Sequence, residues 1–265
     1  MGFGEHLVAR TFPVLLEITP PQRSRPELLL RRAGLLGARA AAIDLIQRPG
    51  RQPSLEAARD LAEAGLTPIW HLVTDGRQGP EIARELRAAA ETGLSNLLVL
   101  KGDHGAAEAG LSIREAIARA RDTLPGACIG ATLNQFARDP AVALRNLFPK
   151  LAAGATYVET QPVFALEALR PFAEAIKARF PAVAIIAMAM PLPSAEAGAK
   201  LAARLGIPAP AGPPFEELLL ELASSQLVEG LALMTFEMDP GPDVAARILS
   251  ALRTPEVVAR AGGRD

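Results

Sequence analysis

The chain has 265 residues, 49% of them hydrophobic, and a formal net charge of -1, which excludes a disordered chain and leaves no basic surplus for nucleic acid or an anionic membrane. One cysteine, Cys128, excludes an internal disulfide framework and a cysteine-cluster metal site. No run reaches the roughly 18 apolar residues of a membrane span, and the opening Met1-Gly2-Phe3-Gly4-Glu5-His6 lacks a signal-peptide pattern; the expectation is a cytoplasmic protein that acts on small molecules.

From Val14 onward, short aliphatic runs alternate with longer segments of helical period, eight pairs in all, which predicts an α/β fold of the (β/α)8 TIM-barrel type over residues 1–265 as one domain. Strand one, Val14 to Ile18, carries Glu17 and ends at Pro20-Pro21, which cannot extend an internal ladder. A helix follows from Pro26 to Leu36, stopped by Gly37. Strand two, Ala40 to Leu45, carries Asp44, and Ser54 opens a helix closed by Gly65. Strand three, Pro68 to Val73, holds His71; the turn Asp75-Gly76 leads to a helix from Pro80 to Gly93. Strand four, Asn96 to Leu100, runs into the polar loop Lys101-Gly102-Asp103-His104-Gly105.

A helix from Leu111 to Leu124 precedes strand five, Ala127 to Thr132. Asp139-Pro140 reads as a cap and first helical residue of a helix that carries Lys150 and ends at Gly154. Strand six is Thr156 to Thr160, with Gln161 just beyond. Strand seven, Val183 to Met190, ends at Pro191-Leu192-Pro193, and Ser194 caps the next helix. After the proline-rich stretch 208–214, Phe215 to Ser225 reads as an extra helix before strand eight, Gly230 to Thr235, which is followed by Phe236-Glu237 and a last helix from Asp243 to Arg253. The tail beyond Ala261 is expected to fray.

In such a barrel the C-terminal ends of the strands form the catalytic face. Glu17, Asp44, His71, Lys101, Asp103, Gln161 and Glu237 all fall near those ends. A carboxylate against apolar walls has its charged form disfavoured, which suits Glu17 to general-acid work near neutrality. The three histidines, His6, His71 and His104, show no His-Glu-x-x-His spacing, so no metal is expected. Neither the dinucleotide glycine fingerprint nor the P-loop follows a strand.

Four segments in register resemble the methylenetetrahydrofolate reductase family: Leu16-Glu17-Ile18-Thr19-Pro20-Pro21, Leu98-Val99-Leu100-Lys101-Gly102-Asp103, Lys150-Leu151-Ala152-Ala153-Gly154-Ala155 and Thr160-Gln161-Pro162-Val163-Phe164. Met188-Ala189-Met190-Pro191 is similar to that family's seventh strand and turn. The resemblance implies a TIM barrel in which FAD relays hydride from NADH or NADPH to 5,10-methylenetetrahydrofolate, giving 5-methyltetrahydrofolate. It implies that Glu17 is the general acid that helps open the methylene bridge, that Asp103 lies close to flavin and pterin, and that Gln161 contacts the folate substrate or nicotinamide. It places His71, Lys101, Gly102, Asp103, Thr132 and Lys150 at cofactor-binding positions, Lys150 beside a phosphate. Bacterial members commonly self-associate, so a homo-oligomer is expected.

The departures concern the flavin. Lys101 stands where many members have arginine, Asp44 where a threonine is usual beside the flavin phosphates, and Thr132 where an aromatic residue is usual. Phe136 replaces a histidine, Ala143 a ribose-binding aspartate, and Ala195 falls near a substrate-stacking phenylalanine. An anion beside a pyrophosphate adds repulsion, so Asp44 argues against ordinary flavin-phosphate binding. Direct transfer from nicotinamide is one alternative, and a differently bound flavin another. Others are a non-catalytic folate-binding or partner subunit, and a barrel that passes a folate methyl group to a partner carrying a corrinoid.

Overall fold

The computed structural model describes residues 1–102, 110–207, 212–235 and 239–260. Eight parallel strands close into a barrel in chain order: β1 Val14–Ile18, β2 Ala42–Leu45, β3 Pro68–Val73, β4 Asn96–Leu100, β5 Cys128–Leu133, β6 Tyr157–Thr160, β7 Ala184–Ala189 and β8 Gly230–Met234. β1 pairs with β8, with Leu15 opposite Ala232, so the (β/α)8 expectation holds to closure. Each strand is followed by at least one helix, and parallel strands need such crossovers to return to the same edge.

Alternation along the strands assigns two interiors. Val14, Leu16 and Ile18 face outward and pack in the large core between barrel and helices, with Trp70, Leu72, Val99 and Val158 among their partners. Leu15, Ala42, Ile69, Leu98, Cys128, Tyr157, Ile186 and Ala232 point inward and fill the barrel. Gly130 is required there because a Cβ would lie 2.3 Å from the Tyr157 ring. The Tyr157 hydroxyl donates to the Leu97 carbonyl at 3.3 Å.

The outer helices are α2 Pro26–Ala33, α3 Ser54–Glu63, α4 Gly79–Glu91, α5 Ile113–Thr123, α6 Pro140–Ala152, α7 Leu166–Arg179, α8 Ala195–Leu205, α9 Phe215–Ser224, α10 Pro242–Ala251 and α11 Pro255–Arg260. Asp139 caps α6, accepting from the Ala141 and Val142 amides at 2.9 and 3.4 Å. Ser194 caps α8, accepting from the Ala197 amide at 3.1 Å. At α3 the cap comes from elsewhere: the Gln47 side chain accepts from the Ser54 amide at 2.8 Å, while the Ser54 hydroxyl donates to the His71 carbonyl at 2.9 Å. Ser54 therefore ties α3 to the end of β3.

Two helices lie between β7 and β8, as the sequence indicates. α9 packs on β7, α7 and α11 and so takes the ring position. The additional helix is therefore α8, whose end at Arg204 and Leu205 reaches the cavity at the barrel mouth. One helix is not indicated by the sequence pattern: α1, Phe3–Ala9, precedes β1, and its Phe3 is fully buried against Tyr157, ring centroids 5.2 Å apart and edge to face. It stoppers the N-terminal end of the barrel. No helix among the described residues is long and apolar enough to cross a membrane.

Candidate functional site

Glu17, Asp44 and His71 come from three consecutive strands and point inward at the C-terminal end. Register sets Glu17 beside Asp44 across β1 and β2. His71 sits on β3, where its Nε2 approaches Asp44 Oδ1 to 2.9 Å. One ligating atom from each of these three residues lies within 4.8 Å of the others. All are buried: Glu17 is 5% exposed, Asp44 0% and His71 5%.

A fourth member, Glu159, was missed in the sequence. It shares the inward parity of Tyr157 on β6, lies beside Thr132 of β5, and is 1% exposed. A charged residue in a four-residue strand full of inward-facing bulk is the signal that could have revealed it, because carboxylates are almost never fully buried without a partner.

The electrostatics follow from this crowding. Burial raises the Glu17 pKa, the Asp44 charge raises it further, and His71 and Arg48 only partly compensate, leaving it at about 7. Glu159 is pushed well above the usual carboxylate range, by burial first and then by Asp44 and Glu17. For His71 burial acts downward, but the Asp44 carboxylate outweighs it and the net shift is upward.

Above these groups opens a cavity of about 1010 Å³. Glu17, His71 and Glu159 form its floor, while Gly102, Thr132 and Gln161 stand in its wall. Gly102 has φ +99°, and a Cβ there would meet Val73 Cγ1 at 2.7 Å, so this turn needs glycine. Gln161 is fixed through its backbone: its amide donates to Gln135 Oε1 at 3.1 Å, and Gln135 Nε2 donates to its carbonyl at 2.8 Å. Gln135 is 5% exposed and is a second residue that the sequence reading passed over. Arg48, Arg59, Arg84 and Arg204 line the side of the cavity towards β2, α3, α4 and the end of α8.

The residues expected at this mouth do not all meet there. Glu17, His71, Gly102, Thr132 and Gln161 converge on the cavity. Lys101 is exposed at the end of β4 and Lys150 lies in the last turn of α6; neither is among the described residues lining the cavity. Desolvation lowers the Lys150 pKa. Ala143 packs against the outer core, and Phe136 pairs with Phe164 at 6.4 Å between ring centroids. Asp44 lies beneath the cavity floor and inside the barrel, so its charge answers His71 rather than standing at the rim where a pyrophosphate would be held. Asp103, His104 and Glu237 lie outside the described residues.

Fold and site together define a (β/α)8 barrel whose mouth has buried carboxyl groups on its floor and arginines along one side. No family model matches the sequence, and no curated protein matches it at a significant level. Among solved structures, the chain is similar to a cube-shaped, highly porous protein cage designed by fusing symmetric oligomeric domains. The TM-score is 0.54 at 16% identity, over 94% of this chain and 73% of that one. Likeness at that level establishes the fold alone.

Proposed function

We propose that this protein is an oxidoreductase of the methylenetetrahydrofolate reductase type, reducing 5,10-methylenetetrahydrofolate to 5-methyltetrahydrofolate with hydride from NADH or NADPH. The observation that carries the reading is Glu17: a buried carboxyl on the floor of a large cavity, with a pKa near 7, across from Gln161. That is the protonation state a general acid needs at neutral pH. Glu17 gives its proton to the bridge nitrogen as the carbon–nitrogen bond on that side breaks, leaving an iminium whose carbon accepts hydride and becomes the methyl group. Gln161, held by Gln135, orients the ring system, and the apolar walls at Leu98, Leu100 and Met234 exclude water.

The residues do not fit FAD in the pose that the resemblance implies. Both lysines assigned to it stand off the cavity, and Ala143 offers no acceptor for a ribose. Hydride is therefore assigned directly to the nicotinamide. The test is turnover of methylenetetrahydrofolate with nicotinamide deuterated at the transferring position, with and without added FAD. Deuterium retained in the product methyl group without flavin supports the reading; label lost to solvent only when FAD is present points to a flavin relay. Folate binding without any turnover favours the second reading, a non-catalytic folate-binding subunit, which the placement of Lys101 and Lys150 off the cavity also suits.

A further inference from the structure

Four titratable groups crowd the barrel floor, where Asp44 faces both His71 and Glu159 and lies beside Glu17. His71 Nε2 pairs with Asp44 Oδ1 at 2.9 Å, whereas His71 Nδ1 has no partner among the described residues. Buried polar groups are nearly always partnered, and here one ligating atom from each of Glu17, Asp44 and His71 crowds the same small volume beside the unpartnered His71 Nδ1.

We propose that Glu17, Asp44 and His71 form a site for one divalent first-row transition cation of the Mn²⁺ or Zn²⁺ kind, open on its upper side to the cavity. Spacing supports this. Nitrogen and oxygen ligands about 2.0–2.2 Å from a common ion lie roughly 3 to 4.4 Å apart, against 2.9 Å for His71 and Asp44 and a limit of 4.8 Å for the whole set. So does charge: two carboxylates around a divalent ion leave no net charge in the interior. The imidazole selects against Mg²⁺ and Ca²⁺, which prefer oxygen ligands. Three protein ligands with one side facing a cavity is the arrangement of an open rather than a purely structural site.

Sequence spacing could not display this set, because its members come from three strands and meet only through barrel register. The inference goes beyond the folate reading and does not need it. It does constrain it: a Glu17 that ligates a cation cannot carry the proton, so the cation-loaded and acid-competent states exclude each other, and the cation inhibits the reductase.

The experiment uses the full chain, freed of metal with a chelator and titrated calorimetrically with Mn²⁺, Zn²⁺ or Mg²⁺ alone. The expected result is one Mn²⁺ or Zn²⁺ per chain, bound at least tenfold more tightly than Mg²⁺, with at least a tenfold loss in Asp44→Asn and in His71→Gln. Pulsed electron paramagnetic resonance of the wild-type Mn²⁺ complex should show coupling to an imidazole nitrogen, which decides the matter even if a variant fails to fold. Absence of stoichiometric binding, binding unchanged by both substitutions, or a Mn²⁺ spectrum without nitrogen coupling overturns the site. Metal binding with no folate turnover by the metal-free protein would sink the reductase reading and leave the site standing; turnover by the metal-free protein with no metal binding would do the reverse.

Discussion

Glu17 is the residue on which the chemistry turns, and its environment dictates how it should behave. In chelator-treated protein, Glu17→Gln is expected to lower kcat by about 10²–10⁴ while leaving the circular-dichroism spectrum unchanged. Because burial and Asp44 raise its pKa to about 7, the protonated donor is present below that pH and lost above it. Turnover limited by the bridge-opening step should therefore fall as pH rises through 7, and steady-state rates across that range check this. Gln135 makes a different prediction: Gln135→Ala removes the side-chain clamp on the Gln161 backbone and leaves only its bonds to Leu133 and Thr160, so KM should rise more than kcat falls. Glu17, His71 and Gln161 were legible in the sequence because each falls in or just past the C-terminal half of a strand-like run. Glu159 and Gln135 were not, since inward parity on a four-residue strand and a side chain clamping a neighbouring loop are settled only by register.

At the level of elements, the mouth is stitched across the β1–β8 seam chiefly by Arg32, with Arg31 of the same helix also donating to Asp239 at 3.3 Å. Arg32 of α2 donates to the Thr19 carbonyl beyond β1 at 2.8 Å and, through Nε and Nη2, to Asp239 after β8 at 3.0 and 2.8 Å. Arg32 is buried, whereas the Asp239 side chain is half exposed. Asp239→Asn should cost about 2 kcal/mol, between the values for buried and exposed pairs, as read from urea unfolding. Hydrogen bonds from Arg32 are the chief cause holding Asp239 below the ordinary aspartate value of 3.8. The pair's contribution is thus present above that value and lost as pH falls through the depressed one, so the difference between wild type and variant should vanish in acid. Strand and helix positions could be read from hydrophobic period and proline or glycine punctuation. Which helix between β7 and β8 completes the ring could not, because both α8 and α9 are amphipathic and only packing on β7 and α7 distinguishes them.

Taken whole, the molecule is a tube with an open upper end of mixed charge and an aromatic lower one. The eightfold alternation made the tube readable from the sequence. Its stopper was not, since the seven residues Phe3–Ala9 carry too few turns to display a period. Gly130→Ala should destabilise the fold by about 3 kcal/mol by forcing Tyr157 aside, with thermal unfolding as the measurement. The stopper also has a place in time. Phe3 precedes every strand on the chain, yet it rests on Tyr157 in a cluster whose other members extend from Leu15 of β1 to Ala232 of β8. A ribosome delivers Phe3 before any wall of its socket exists, so its docking belongs to the end of folding although its synthesis comes early. Phe3→Ala should leave the refolding rate nearly unchanged and put its cost, about 3 kcal/mol or more, into faster unfolding; stopped-flow traces that slow on the refolding side would show that the helix instead helps to gather the strands.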